Sequence, residues 1–225
     1  MTEREAEPRS RDAARTQEAI LDAAERLFAE RGYEAATLEE IGRLAGVSRG
    51  TPRYFFGAKE QLYRAVLARV LTAEATLLVA AQSRAIAAGG GPDETLAAVV
   101  AAFIDFLVAR PTFVRLIERE TVAGGTVLQE VAAETPAVQE ALSQLGEAFA
   151  EAAFPGASPP QILLALLALC WFPLAHADGF TRSLGFDARD PAFVVEWNRF
   201  VVTLVLSGMR GTTGQPTEAM SRKQR

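Results

Sequence analysis

The chain has 225 residues, 49% of them hydrophobic, which is enough to bury a sizeable core in one large or two small domains. A net charge of -5 excludes a protein that coats nucleic acid indiscriminately, because phosphate attraction grows with summed positive charge, but it leaves room for a focused basic site. The single cysteine, Cys170, excludes an intramolecular disulfide framework and a multi-cysteine metal site, and it fits a reducing cytoplasm.

Residues 1–12 alternate acid and base around Pro8 and Ser10 and read as a disordered arm, neither a secretory signal nor an anchor. From 12 to 31, Ile20, Ala24, Leu27 and Phe28 recur at helical spacing, and Gly32 supplies a stop. Thr37 opens a second helix and Glu40 three residues later completes a capping box, with Leu38, Ile41, Leu44 and Ala45 forming the apolar face. Gly46 permits a sharp turn, and Ser48 is placed to cap a third helix over about 49–55. A short helix, a turn and a second short helix behind a longer supporting one is the layout of a DNA-reading helix-turn-helix.

The charge pattern agrees. Residues 1–64 carry 11 basic and 12 acidic side chains, yet from 41 to 64 there are five cations, Arg43, Arg49, Arg53, Lys59 and Arg64, against Glu60 alone. Arg49 and Arg53 lie four apart on one helix face, where like charges repel by a few tenths of a kcal/mol. Arg49 and Lys59 fall at helix starts, where the dipole disfavours a cation. A phosphate backbone lying across these helix ends relieves all of these penalties. Gly50 allows close approach of another surface, and Thr51 can donate to phosphate or touch a thymine methyl.

The stretch ILDAAERLFAERGYEAATLEEIGRLAGVSRGTPRYFFGAKEQLYRAVL resembles the N-terminal domain of the TetR family of bacterial transcriptional regulators. The likeness rests on Ile20-Leu21, Leu27-Phe28, Gly32-Tyr33, Thr37, Ala45-Gly46-Val47-Ser48, Gly50-Thr51 and Lys59-Glu60. It implies a bracing helix over 38–45 and a recognition helix over 48–55. It makes Thr37, Tyr54 and Lys59 phosphate contacts and turns Arg49, Gly50, Thr51 and Arg53 toward the groove, with Arg43, Ser48 and Phe55 completing the DNA-binding set. Pro52 departs from the family's usual aliphatic residue, and Arg53 from its usual tyrosine.

Beyond residue 58 the pattern predicts helices over about 59–88, 93–109 and 111–122, then 128–154 with a break at Thr135-Pro136. Two very apolar helices follow, over about 160–178 and 191–209, before a polar, disordered tail from 212 to 225. The fold class is therefore all-α, with about nine helices: a DNA-binding domain over 13–67 and a larger helical ligand-binding and dimerisation domain over 68–211. The run from 162 to 175 is too short to span a membrane, and Pro173 interrupts it. His176 is the sole histidine and no acidic pair or nucleophile has a partner in sequence, so neither enzyme chemistry, a metal nor a cofactor is implied.

Phe103, Phe106, Phe113, Trp171 and His176 are candidates to line an apolar ligand pocket, against the plainer reading of core aromatics and a structural histidine. The resemblance implies a small hydrophobic effector, operator DNA and a homodimer formed through the last two helices. The expected function is a ligand-responsive repressor. A helical carrier or interaction module with a non-functional helix-turn-helix is the alternative.

Overall fold

The computed structural model describes residues 3–151 and 158–211, and among these the secondary structure is ten α-helices and one π-helical turn, with no strand. The helices are α1 (Glu3–Ala35), α2 (Leu38–Leu44), α3 (Thr51–Phe56), α4 (Lys59–Ala87), α5 (Pro92–Ala109), α6 (Pro111–Val122), α7 (Thr126–Glu134), α8 (Pro136–Glu151), α9 (Pro159–Ala175) and α10 (Pro191–Gly211). The helical starts follow local rules: Pro111, Pro136 and Pro191 each stand first in their helices, where a missing N–H costs nothing. Helix α1 begins at Glu3, within the segment expected as an arm, while the expected tail over 212–225 lies outside the described residues.

By contact the chain forms two compact units, the first gathering Met1–Thr76 with Phe106–Glu140 and the second Leu77–Asp105 with Ala141–Arg225. The expected boundary at 67/68 does not coincide with this division, because α6 and α7 belong with the N-terminal helices. The reason is a set of side chains on α6. Arg119 donates to the carbonyls of Ala29 (2.9 Å) and Glu30 (2.8 Å), and the Thr112 hydroxyl donates to Glu25 (2.9 Å). Glu120, buried, accepts from the Tyr63 hydroxyl on α4 at 2.7 Å and from the amides of Val127 and Leu128 that open α7, at 3.1 and 3.2 Å. The unit's core is built from Ile20, Phe28, Ile41, Leu62, Val66, Phe113 and Leu116.

Helix α4 is long and apolar enough to cross a bilayer by length and composition, with a mean hydropathy of 1.4 in its most apolar window. Yet Leu62, Val66, Leu67 and Val70 have no exposed surface, which marks a core helix. Beside this buried row Arg69 gathers Glu18, Asp22 and Glu25 of α1 at 2.7 to 3.1 Å.

In the second unit α9 is capped by a reciprocal Ser158–Gln161 box, and it ends at Ala175 rather than at the expected 178. His176 closes it, and the chain then winds into a π-turn over Ala177–Thr181, whose Thr181 hydroxyl donates back to the Pro173 carbonyl at 2.9 Å. The Trp197 indole of α10 donates to the Leu169 carbonyl of α9 at 3.0 Å, tying the last two helices together.

Candidate nucleic-acid interface

Helix α2 starts as its sequence requires. The Thr37 hydroxyl accepts from the Glu40 amide (3.2 Å) and donates to the Glu40 carboxylate (3.0 Å). Arg31 of α1 adds a 2.8 Å ion pair to the same carboxylate. The hydrogen bond from Thr37 and the Arg31 guanidinium hold Glu40 below the usual carboxylate range. The turn follows through Gly46 at φ 71°, with the Val47 amide donating to the Gly42 carbonyl at 2.9 Å.

Helix α3 begins at Thr51, two residues later than the Arg49 start expected, because the Thr51 amide donates to the Ser48 carbonyl (3.0 Å) and closes a separate turn first. Ser48 does not cap the helix through a backbone amide. Its hydroxyl instead shares a 2.7 Å hydrogen bond with that of Thr51. Pro52 is the second helical residue, where no intrahelical donor is lost, and it is buried against Gly42 of α2.

The DNA-binding residues expected from sequence fall into two groups. Arg43, Ser48, Arg49, Gly50, Arg53 and Tyr54 are exposed around the turn and α3, and Thr51 and Phe55 are half-buried beside them. Tyr54 presents 84% of its surface, with its ring edge-on to Phe55 at 5.3 Å. Arg43, Arg49 and Arg53 form no ion pair or side-chain hydrogen bond among the described residues. Thr37 and Lys59 are engaged in the frame. The Lys59 ammonium donates to the carbonyls of Tyr33 (2.9 Å), Glu34 (3.3 Å) and Ala36 (3.2 Å) and stands 4.3 Å from the Tyr33 ring centroid. The non-helical backbone at Gly32 (φ 82°, ψ 169°) interrupts the ladder of α1 just before these carbonyls. The cost of a cation at the start of α4 is thus offset internally, and the Ala58 amide donates to the Gln61 side chain at 3.1 Å.

Of the pocket candidates, Phe103, Phe106 and Phe113 are buried, and Phe106 and Phe113 meet edge to face at 5.0 Å. Trp171 and His176 are half-buried on α9 and at its end, where the His176 ring meets Phe172 edge to face at 4.5 Å. Sequence reasoning missed Tyr63, Arg119 and Glu120, which organise a cleft of about 730 Å³ within the first unit. None of the five pocket candidates lines it.

A braced α2, a glycine turn and a short α3, with Arg43 on α2, Arg49 in the turn and Arg53 on α3 all exposed, define a helix-turn-helix DNA-binding protein. Residues 20–66 match the family described as bacterial regulatory proteins, tetR family, and residues 92–205 match the tetracyclin repressor-like C-terminal domain. The chain belongs to the TetR family of transcription regulators. It is 26% identical to the HTH-type transcriptional repressor NicS of Pseudomonas putida over 90% of this chain and 96% of that one. It is 35% identical to the HTH-type transcriptional activator FasR of Mycolicibacterium smegmatis over 60% of this chain and 59% of that one. The fold is shared with the transcriptional regulator FadR of Bacillus subtilis, solved in complex with stearoyl-CoA, at a TM-score of 0.66 and 18% identity over 84% of this chain and 97% of that one.

Proposed function

We propose that this chain is a cytoplasmic, homodimeric repressor that binds a palindromic operator and is released by a small hydrophobic effector. The observation that carries the reading is the set of exposed side chains on and before α3, Arg49, Arg53 and Tyr54, with no partner for either guanidinium among the described residues. The buried face of α2, Leu38, Ile41 and Gly42, fixes their direction. Pro52, which departs from the family's usual aliphatic residue, sits where it costs no hydrogen bond and packs α3 onto α2, so it supports a working reader over the alternative of a non-functional motif.

Two recognition helices entering successive major grooves need a spacing of about 34 Å, which a two-fold dimer on a palindrome provides. Exposed apolar residues on α9 and α10 support the pairing. Repression follows the name of NicS, a relative that spans nearly the whole chain, and a hydrophobic effector follows the stearoyl-CoA held by the FadR neighbour. The effector acts by preferring the state whose reading helices are wrongly spaced.

The test is fluorescence anisotropy on the DNA upstream of the chain's own gene, across salt concentrations, with wild type, Arg49→Ala and Arg53→Ala. Loss of a phosphate contact lowers the salt slope by about one, and loss of a base contact costs about 1–3 kcal/mol at one operator position. Unchanged binding by both variants overturns the assignment of α3.

A further inference from the structure

The cleft in the first unit lies among the C-terminal part of α1, the start of α4, and the α6–α7 connection, apart from the DNA-reading surface. Its volume of about 730 Å³ falls in the range of small-molecule sites. Three rings, Phe28, Tyr33 and Tyr63, line it and touch one another, with centroids 4.9 Å apart for Phe28–Tyr63 and 5.0 Å for Tyr33–Tyr63.

The charged groups on the lining are unbalanced. Glu34, Glu60, Glu118 and Glu120 face two cations, Arg31 and Arg119. Both guanidiniums are already engaged, Arg31 by Glu40 and Arg119 by the α1 carbonyls. Glu120 is likewise saturated by Tyr63 and two amides. The carboxylates of Glu34 and Glu60, by contrast, make no ion pair or hydrogen bond among the described residues. Both nevertheless act on the aromatic wall: after burial, Glu60 and Glu34 are what push the Tyr33 hydroxyl up from its ordinary value. The wall's affinity for cations is visible in Lys59, whose ammonium stands over the Tyr33 ring without lining the cleft.

From these observations we propose that the cleft binds an organic cation with a flat aromatic body, the body against the Tyr33–Tyr63 rings and the charge between Glu34 and Glu60. Glu34 and Glu60 are exposed at the rim of the cleft, so their charge repels an anion and attracts a cation beyond what the rings offer a neutral ligand. Arg119 and Glu120, which fasten α6 to α1 and α4, line the same cleft, so an occupant bears on contacts that support the reading helices.

The experiment is calorimetric titration of the full chain, without DNA, using three probes of one shape: 1-naphthylmethylammonium, 1-naphthalenemethanol and 1-naphthylacetate. Omitting DNA keeps the result independent of the regulatory reading. The ammonium is expected to bind at least tenfold more tightly than the alcohol, and the acetate not to bind. Glu60→Gln should weaken the ammonium tenfold while leaving the alcohol unchanged, and Tyr33→Leu should weaken both. Thermal melts of each variant confirm folding, with Glu34→Gln as a second charge variant should Glu60→Gln fail to fold. Equal binding of the three probes, no binding of the ammonium at millimolar concentration, or full ammonium affinity in folded charge variants overturns the proposal.

Discussion

Gly42 of α2 faces Pro52 of α3 so closely that a side-chain carbon at position 42 would lie 3.3 Å from both Cδ and Cγ of the proline and 3.0 Å from the Ser48 carbonyl oxygen. In an open helix, glycine to alanine gains about 1 kcal/mol. Here the methyl meets backbone and a rigid ring, so the gain is cancelled by a shift of α3. Gly42→Ala is expected to leave the melting temperature level or lowered and to weaken operator binding about tenfold, as judged from the wild-type contact costs of about 1–3 kcal/mol. A rise of several degrees with full operator affinity would sink this account of the packing.

The parts legible in the sequence were those whose causes are local. The Thr37–Glu40 box, the Gly46 turn and the break before Pro136 need residues no more than four apart, and each appears where expected. The start of α3 was misplaced because Ser48 has the chemistry of a cap but spends its hydroxyl on Thr51. The internal partners of Lys59 were not legible, because the carbonyls it donates to lie 23 to 26 residues away. The assignment of α6 and α7 to the first unit depends on α6 packing against α1, where Arg119 meets the Ala29 carbonyl 90 residues back, and on Tyr63 meeting Glu120, 57 residues on. Helical spacing marks Phe103, Phe106 and Phe113 as inward-facing, but it does not distinguish a packed ring from a pocket wall.

The Tyr63–Glu120 pair supports a second prediction, on stability. Glu120→Ala removes the acceptor for a buried hydroxyl and for two amides of α7, and each orphaned donor costs about 1–3 kcal/mol. Tyr63→Phe removes one donor and leaves Glu120 held by both amides, for a loss of about 1 kcal/mol. Urea denaturation should therefore rank wild type above Tyr63→Phe and well above Glu120→Ala. Equal losses in the two variants would mean that the α7 amides contribute nothing.

Glu74 on α4 supplies a pH dependence. Burial raises its carboxyl from 4.5 to about 7. Between these values the folded chain holds a proton that the unfolded chain has released, so stability is highest below about pH 4.5 with respect to this group and falls as pH rises to about 7. The loss is on the order of 3 kcal/mol, nearly all of it reached by about pH 8. Glu74→Gln keeps the neutral form at every pH. It should match wild type near pH 5 and exceed it in melting temperature by several degrees at pH 8. Parallel wild-type and variant profiles across that range would refute the argument.

The last prediction concerns the surface of α9 and α10. Leu164 (68% exposed), Ala168 and Phe172 follow one another at intervals of four along α9, and Phe200 (51% exposed) and Leu204 do so along α10. Long apolar side chains in exposed rows cost little in an isolated subunit, and replacing one by glutamate there changes stability by no more than about 0.5 kcal/mol. Buried against a second copy, the same glutamate brings an uncompensated charge into an apolar interface, at a cost of several kcal/mol. Leu164→Glu and Phe200→Glu should therefore leave the melting behaviour of dilute protein nearly unchanged while lowering the mass in solution, at about 10 µM, from twice 24.2 kDa to the single-chain value. Operator affinity should fall with the mass, since one reading helix alone forfeits the second half-site. Glutamate variants that remain dimeric would place the subunit contact elsewhere, and a wild-type chain already monomeric at that concentration would refute the homodimer.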